Sequence, residues 1–397
     1  MLFKTFDSAR ANRSIVLLAL CQGLLLTNTV ILMAVNGLTG FMLAPSKALA
    51  TLPAMTYVVG SALSAMPVSA WMKRVGRRRA FMHFTLFAIV GASLCAYAVS
   101  QRDFYLLCFG TFFIGTYAAS GALYRFAAAD SVGPQNKARA ISLVLLGGIA
   151  GGLLGPESSK ISKDWLNVTY AGTYLSLIVF ALLALLIQSR LQLSDSSVSV
   201  GEGPPARPLT HIMRQPKYLL AVLAAAIGYG VMNLLMVATP LAMSFCGHPY
   251  KEAVFVLEWH VAAMFLPSLF TGDLIKKMGV YTIIGLGVVL NFAAAFILFS
   301  GQSVAVFWLG LAVLGVGWNF MYLGGTNLLT ETYTASEKNK AQGANDALVF
   351  LTMALSSSAA GALVNTQGWH TVIGASLPFI ALAGLALCAY WLLKRNK

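Results

Sequence analysis

Two pairs of side chains in the second half of the chain have the types and the spacing of a site for a soft metal ion. Met232 and Met236 lie four residues apart, and so do His260 and Met264. Residues at that spacing share one face of a helix, so each pair presents two ligand groups on the same side. Thioether sulfur selects Cu(I), whereas calcium and magnesium prefer oxygen ligands. Together the four side chains predict a copper site.

Side-chain packing is the alternative explanation of the same residues. Met is a common filler of gaps in protein cores, and the chain contains 15 Met and 5 His among its 397 residues. Packing therefore explains either pair taken alone. The two pairs lie at similar distances from a short outer loop at 245–251, which predicts equal depth on neighbouring antiparallel helices. On spacing alone, a metal-transport site and ordinary side-chain packing explain these four residues equally well.

The elements that must hold these residues are membrane-spanning helices. The chain is 58% hydrophobic and only 10% charged, whereas a soluble domain carries about 25% charged residues. A spanning segment must satisfy its own backbone hydrogen bonds, so it is a helix of about 20 mostly apolar residues. The predicted fold is therefore all-α, with twelve transmembrane helices at about residues 14–41, 48–72, 80–100, 104–127, 139–159, 166–190, 217–244, 252–275, 279–300, 304–329, 341–363 and 370–393.

The distribution of basic residues predicts the orientation of these spans. With the N-terminus in the cytoplasm, most of the 27 Lys and Arg fall in cytoplasmic loops, as the positive-inside rule requires. Both termini are then cytoplasmic. The net charge of +14 is accounted for by these loops and their contact with anionic lipid, so no nucleic acid is expected as a partner.

A polar segment divides the spans into two similar halves. Residues 191–216 are rich in Ser, Pro and Gly and predict a cytoplasmic linker between six-helix bundles at 1–190 and 217–397. Lys73 and Lys276 lie in matching basic turns after the second and eighth spans, and Asp130 and Glu331 follow the fourth and tenth spans. This internal repeat is typical of alternating-access carriers.

Two motifs resemble the major facilitator superfamily. The turn Gly76-Arg77-Arg78-Arg79 is similar to the signature between that family's second and third helices, with Lys73 where the family usually has Asp. The run from Gly151 to Pro156 resembles the family's antiporter motif, whose small residues allow close helix approach. The resemblance extends over the whole chain and implies two pseudo-symmetric bundles that rock about a central site.

At the Met and His pairs the resemblance becomes narrower, to the CcoA-like transporter branch of bacterial copper importers. It implies alternating-access import of copper across the bacterial inner membrane for cytochrome oxidase assembly, with copper bound by Met232, Met236, His260 and Met264. Relatives without the metal motif move organic molecules such as riboflavin. The alternative function is therefore a proton-coupled carrier of a small organic solute, by riboflavin-like import or drug-type export.

Other polar residues within the spans are candidates for supporting roles. The set expected to pass an ion inward from the outer side is Met243, Cys246 and His248. The set expected to couple or gate transport is Glu258, Asp346, Lys73, Asp130, Lys276 and Glu331. Seven residues are expected to line a cavity or to form hydrogen bonds between helices: Asn28, Arg125, Tyr229, Asn233, Trp318, Asn319 and Tyr322.

No motif points to an enzyme, because the sequence has no phosphate-binding Gly-rich loop and no Cys/His cluster of the structural zinc type. The expected partners are the lipid bilayer, copper as transported substrate rather than as cofactor, and cytoplasmic or periplasmic copper carriers. The protein is expected to be a monomer.

Overall fold

The computed structural model describes residues 9–46, 49–193 and 206–395. Within those ranges every regular element is a helix and no strand is found, which confirms the all-α prediction. The α-helices are α1 (Ala9–Leu43), α2 (Leu52–Val75), α3 (Arg77–Gln101), α4 (Phe104–Gly121), α5 (Tyr124–Ala129), α6 (Lys137–Leu146), α7 (Gly148–Ser162), α8 (Ala171–Ser189), α9 (Leu209–Met213), α10 (Pro216–Phe245), α11 (Tyr250–Phe265), α12 (Ser268–Met278), α13 (Val280–Phe299), α14 (Val304–Leu329), α15 (Lys338–Gln367) and α16 (Trp369–Arg395).

The helices account for the predicted spans, with three of them interrupted. The fourth span is α4 and α5, the fifth is α6 and α7, and the eighth is α11 and α12. Eleven of the described helical stretches are long and apolar enough to cross a membrane. The second predicted span, α2, is 24 residues long but falls outside that group, because it contains Pro53, Pro67 and several Ser and Thr residues. The placement of both termini in the cytoplasm stays a prediction.

Two compact units make up the chain. Unit 1 contains the described residues of Met1–Asn136, Leu143–Pro205 and Ala335–Phe350. Unit 2 contains Lys137–Ser142, Ala206–Thr334 and Leu351–Lys397, again for the described residues. Each unit thus includes a short piece from the other predicted half, namely the first turns of α15 in unit 1 and the first turns of α6 in unit 2. The boundaries at 190 and 217 stay a prediction, and residues 194–205 of the predicted linker lie outside the described residues.

In unit 1, glycines bring α7 against α1. A Cβ added to Gly151 would lie 2.5 Å from the Leu26 Cβ, and one added to Gly155 would lie 2.7 Å from the Val30 Cβ. Both distances are too short for a side chain, so the two helices touch through their backbones. The small residues of the Gly151–Pro156 run therefore have a packing role, as their chemistry predicts.

In unit 2, α14 is the central helix. It packs along α10, α11 and α13, whereas α10 and α11 touch each other much less. A Cβ on Gly325 would lie 2.7 Å from the Ala221 carbonyl oxygen in α10, and one on Gly317 would lie 2.6 Å from the Asn291 side chain in α13. Glycines on different sides of α14 thus allow α10 and α13 to approach it closely. The seventh and eighth spans, α10 and α11, are in contact as expected, but each packs more extensively on α14 than on the other.

Candidate functional site

One face of α14 carries the contacts that organise the site in unit 2. Leu311, Gly315, Trp318, Asn319 and Tyr322 recur at intervals of three and four residues, so they line one side of the helix. Each contacts α11, α12 or α10. This face fixes the position of the Met and His residues singled out in the sequence.

His260 points toward α14 and is fully buried. Its Nδ1–H donates a hydrogen bond of 2.7 Å to the Leu311 carbonyl oxygen, because a carbonyl can only accept. The neutral imidazole then carries its lone pair on Nε2, and this atom has no hydrogen-bond partner among the described residues. Metal-binding histidines usually donate their other ring nitrogen to a carbonyl or carboxylate in this way. The ring is therefore oriented with one free acceptor nitrogen.

The break between α11 and α12 lies nearly two turns beyond His260. Pro267 follows Leu266 there and has no backbone N–H to continue the helix. Asn319 of α14 bridges the break: its Nδ2 donates to the Met264 carbonyl oxygen and to the Ser268 Oγ, each at 2.7 Å, and its Oδ1 accepts from Thr271 at 2.8 Å. Asn319 thus holds both sides of the interruption and is an interhelical hydrogen-bonding residue.

Gly315 sets the distance between α14 and α11. A Cβ at this position would lie 2.9 Å from the His260 carbonyl oxygen and 3.0 Å from the Met264 backbone nitrogen. These are backbone atoms, which cannot rotate away as a side chain could. Glycine therefore allows the close approach on which the His260 hydrogen bond depends.

Four aromatic rings form a cluster beside this contact. Trp318 stacks on Tyr322 with centroids 5.1 Å apart and an interplanar angle of 17°. Tyr229 of α10 meets both rings edge to face, at 5.3 and 5.2 Å, and Phe265 of α11 meets Trp318 at 5.5 Å. Trp318, Tyr322 and Phe265 are buried, whereas Tyr229 is half-buried. The indole N–H of Trp318 has no partner among the described residues. The cluster can therefore offer an aromatic surface at Tyr229 to a flat ligand.

Asn233 lies one turn from Tyr229 on the same face of α10. Its Nδ2 lies 2.9 Å from the Ser356 Oγ, 2.7 Å from the Ser357 Oγ and 3.2 Å from the Met353 carbonyl oxygen of α15. This polar group is suited to bind hydroxyl groups, since Ser and Asn side chains both donate and accept.

The four predicted copper ligands occupy two helices that both pack on α14. Met232, His260 and Met264 are buried, and Met236 is half-buried. Met232 and Met236 share a face of α10 with Tyr229 and Asn233, by their spacing. No group of three or more His, Cys, Asp and Glu side chains in the described ranges could hold a metal ion. That finding does not concern thioethers, so the copper role of the set stays a prediction.

The three residues expected to pass an ion inward are engaged in local structure. Met243 is buried, and its carbonyl oxygen accepts from the backbone nitrogens of Cys246 and His248 at the end of α10. His248 Nε2 contacts the Gln302 carbonyl oxygen at 2.7 Å, and Nδ1 lies 3.4 Å from Glu252. Both ring nitrogens of His248 are thus occupied, which favours a structural role in this loop.

Three of the charged residues expected to couple or gate transport form ion pairs within their own unit: Asp130, Asp346 and Glu331. Asp130 pairs with Arg77 at 3.0 Å and with Lys338 at 3.3 Å, all in unit 1, and not with Lys73. Arg125 pairs with Asp346, although Asp130 is closer in sequence. In unit 2, Glu331 pairs with Lys217 and not with Lys276.

Three predicted charged candidates lie at the surface of the units. Lys73, Lys276 and Glu258 are exposed, and none has an ion-pair partner among the described residues. The role of Lys73, Asp130, Lys276 and Glu331 in gating therefore stays a prediction. Arg77 and Lys338 supply the contacts with Asp130, because helix packing places their side chains beside it.

Asn28 has a role within unit 1. Its Nδ2 lies 3.4 Å from the Leu177 carbonyl oxygen of α8, and its Oδ1 is buried without a partner among the described residues. This side chain connects α1 to α8.

A family model described as Major Facilitator Superfamily matches residues 15–323 and 253–397. The chain belongs to the major facilitator superfamily. It is therefore a multi-pass membrane carrier and not an enzyme.

Solved structures confirm the fold. The human organic anion transporter MFSD10 superposes with a TM-score of 0.78 at 15% identity, covering 96% of this chain and 100% of that one. The fucose:proton symporter FucP of E. coli superposes with a TM-score of 0.74 at 13% identity, covering 94% and 96%.

A curated superfamily relative is much more similar in sequence. The riboflavin transporter RfnT of Brucella anthropi is 38% identical over 385 residues, which covers 95% of each chain. An uncharacterised carrier of the superfamily, YdeG of Bacillus subtilis, is 28% identical over 334 residues, covering 80% of this chain and 77% of its own. The chain is thus similar in sequence, and not only in fold, to a transporter that is named for an organic solute, riboflavin.

The sequence-based reading of this carrier missed Phe265, Leu311 and the pair Ser356 and Ser357. In the sequence, Phe265 cannot be told apart from an ordinary lipid-facing residue. Only the structure shows that its ring contacts Trp318. The Leu311 contribution is a backbone carbonyl, which side-chain types cannot reveal. The run Ser356-Ser357-Ser358 inside an apolar span was a visible signal, since polar residues at membrane depth are rare.

Proposed function

We propose that the chain transports riboflavin or a closely similar flat heteroaromatic solute across the bacterial inner membrane. The observation that carries this proposal is the 38% identity to the riboflavin transporter RfnT over 95% of both chains. Similarity over 95% of the chain includes most of both units.

The aromatic cluster of unit 2 supports the same substrate class. A planar ring system can stack on the half-buried Tyr229, which Trp318 and Tyr322 hold in place from the side. Stacking of a planar base on an aromatic side chain contributes about 1–3 kcal/mol. The hydroxyl chain of riboflavin would be served by Asn233 with Ser356 and Ser357, one turn away along α10. The site thus offers an aromatic part and a hydroxyl-binding part.

The test is uptake of radiolabelled riboflavin into proteoliposomes that contain the purified full-length protein. The wild type is expected to take up riboflavin, and Tyr229→Ala is expected to raise the apparent KM about 5- to 150-fold, from the loss of about 1–3 kcal/mol of stacking. Tyr281→Ala is the matched control, because Tyr281 also contacts a tyrosine, Tyr390, at 5.3 Å but in a different pair of helices. Absence of riboflavin uptake by the wild type would refute riboflavin as the solute, and absence of competition by other flat heteroaromatic compounds in the same assay would refute the substrate class.

Copper import is the second candidate, favoured by one specific observation. His260 has its Nδ1–H committed to the Leu311 carbonyl oxygen and its Nε2 unpartnered among the described residues, which is the state that a metal-binding imidazole needs. Radioactive copper uptake would be compared between wild type and a Met232→Leu/His260→Leu double variant at equal membrane abundance. The exposed Met278→Leu serves as control. Copper uptake that depends on the two residues would establish the second function, and equal uptake by both proteins would exclude this site.

A further inference from the structure

A pair of tyrosines in unit 2 joins the start of α13 to the end of α16. The rings of Tyr281 and Tyr390 stack with centroids 5.3 Å apart and an interplanar angle of 24°. The Tyr281 hydroxyl donates a hydrogen bond of 3.1 Å to the Tyr390 hydroxyl oxygen. Two hydroxyls that share one hydrogen bond leave one O–H hydrogen unused, and that of Tyr390 has no acceptor among the described residues. The pair therefore offers one free donor.

A lysine lies beside the same two rings. Lys394 follows Tyr390 by four residues, so both side chains lie on one face of α16. Its ammonium nitrogen is 5.4 Å from the centroid of the Tyr281 ring, within the range of a cation–π contact. Lys394 is exposed, and no carboxylate in the described ranges pairs with it. The aromatic ring thus holds a positive group whose N–H donors have no protein acceptor.

Two further lysines precede the tyrosine pair. Lys276 and Lys277 form the last turn of α12, directly before α13, and both side chains are exposed. Neither has an ion-pair partner within the part of the chain that the structure describes. With Lys394 they make three uncompensated positive charges at this end of the two helices.

Two carboxylates of the same region are already engaged. Glu331 acts electrostatically on the tyrosine pair, but it forms an ion pair with Lys217. Asp273, one turn before the two lysines of α12, lies 4.0 Å from Arg139. The free groups at the ends of α13 and α16 are therefore donors and positive charges, which suit a ligand that carries acceptor oxygens and a negative charge.

An apolar surface continues from these groups along the two helices. A Cβ on Gly285 would lie 3.3 Å from the Leu387 Cδ2, so α13 and α16 remain in contact one turn after Tyr281. Val289 in α13 and Leu385 in α16 are exposed. Exposed apolar side chains of a spanning helix face the acyl chains of lipid. The surface thus combines donors at the helix ends with an apolar strip for acyl chains.

We propose that the ends of α13 and α16 bind the phosphate group of an anionic phospholipid such as phosphatidylglycerol. The Lys394 ammonium and the Tyr390 hydroxyl donate to the phosphate oxygens, whereas Tyr281 positions both groups and contacts no lipid. Lys276 and Lys277 add attraction for a headgroup of net negative charge. Phosphatidylcholine binds more weakly, because its quaternary ammonium places a positive charge beside the three lysines. No transported solute takes part, so this lipid site is independent of the proposed function.

The first test is photolabelling of the purified full-length protein in detergent. The probe is phosphatidylglycerol with a photoreactive group near the start of one acyl chain. Labelled peptides are expected to cover residues 280–290 and 382–394. Unlabelled phosphatidylglycerol should displace this label at a concentration at least about 5-fold lower than phosphatidylcholine. Label on other peptides of the same sample serves as the internal comparison.

Substitutions identify the groups that hold the lipid. Lys394→Gln should raise the phosphatidylglycerol concentration for half-maximal labelling of these peptides about 5-fold, whereas Lys394→Arg keeps the charge and should match the wild type. The double variant Tyr281→Phe/Tyr390→Phe keeps both rings without the hydroxyls and should raise it about 2- to 10-fold. Lys251→Gln is the matched control, because Lys251 is exposed and unpaired at the start of α11, and it should change nothing.

Three results would overturn the proposal. One is equal displacement of the label by phosphatidylglycerol and phosphatidylcholine. Another is the same half-maximal concentration for Lys394→Gln, Lys251→Gln and the wild type. The third is displacement by inorganic phosphate or glycerol 3-phosphate as effectively as by phosphatidylglycerol, since the ligand would then be a soluble anion. Unfolding midpoints check that the variants are folded, and added phosphatidylglycerol should raise the wild-type midpoint more than that of Lys394→Gln.

Discussion

The substitution Gly315→Ala tests whether the close approach of α14 and α11 holds the candidate site together. The new Cβ would lie 2.9 Å from the His260 carbonyl oxygen, 3.0 Å from the Met264 nitrogen and 3.1 Å from the Ala263 carbonyl carbon. All three atoms belong to the backbone of α11. The clash can be relieved only if one helix moves relative to the other.

The size of that movement follows from the distances. Ordinary contacts of a Cβ begin at 3.4 Å, so the helices must separate by about 0.5 Å, and overpacking of this kind costs about 1–3 kcal/mol. The same displacement would lengthen the His260 Nδ1 to Leu311 oxygen distance from 2.7 Å to about 3.2 Å, the upper limit of a normal N–H···O hydrogen bond. It would also draw Phe265 away from Trp318.

The assay is thermal unfolding of the purified protein in detergent, together with riboflavin exchange in proteoliposomes. Gly315→Ala is expected to lower the unfolding midpoint and to slow exchange. Gly361→Ala is the control, because its added Cβ meets nothing within 4 Å in α15. Alanine favours a helix over glycine by about 1 kcal/mol, so this control should be as stable as the wild type or more stable.

An unfolding midpoint and a riboflavin exchange rate of Gly315→Ala that are no lower than those of the wild type would refute the reasoning. The α11 backbone would then yield at no cost, and the contact at Gly315 could not be what positions His260 and Phe265.

Three further substitutions probe other contacts. Asn319→Ala removes three interhelical hydrogen bonds, each of which contributes about 0.6 kcal/mol in a membrane protein. The free energy of unfolding, measured by denaturant titration, should therefore fall by about 2 kcal/mol. An unchanged value would contradict the bridging role of Asn319. Gly272→Ala places a Cβ 2.7 Å from the Arg139 Cα, so amide exchange of peptides covering 137–142 should accelerate. Glu331→Gln breaks a partly exposed ion pair with Lys217, worth about 0–1 kcal/mol, so riboflavin uptake should stay at the wild-type level.

The spans could be predicted from the sequence because each depends on local properties. A run of apolar residues of sufficient length specifies a helix by itself, since the backbone must satisfy its own hydrogen bonds in lipid. The interruption of the eighth span was also visible in Pro267, which removes a donor inside an otherwise continuous run.

The neighbours of each helix were not predictable in the same way. The short loop at 245–251 suggested that α10 and α11 face each other, yet both pack mainly on α14. The reason lies in the glycines of α14, including Gly315 and Gly325, which allow closer contact than α10 and α11 offer each other. The glycines were present in the sequence, but their partners lie tens of residues or more away.

The charge pairs show the same limit. Sequence proximity favoured Asp130 as the partner of Arg125, but the partner is Asp346, which lies 221 residues further along the chain. Both acids were visible as unusual residues beside or within apolar spans. Their assignment depended on the register of α15 in unit 1, which no local pattern contains. Residue types thus identified the charged groups, and the fold determined their partners.

The two candidate substrates depend on the same helix, which explains why residue types alone could not choose between them. α14 holds His260 through the Leu311 carbonyl oxygen at one level and Tyr229 through Trp318 and Tyr322 further along. Met232 and Met236 lie on α10 beside the aromatic rings. Their flexible thioether side chains can pack against a flat solute, and the same sulfur atoms can coordinate a soft metal ion. The substitutions that separate these functions must therefore change different atoms of these contacts. Tyr229→Ala removes a stacking surface. The Met232→Leu/His260→Leu pair keeps apolar side chains but removes the sulfur and nitrogen ligand atoms, together with the hydrogen bond from His260 to Leu311. Loss of riboflavin uptake in the first variant with full uptake in the second would assign the Met and His residues to packing in this carrier.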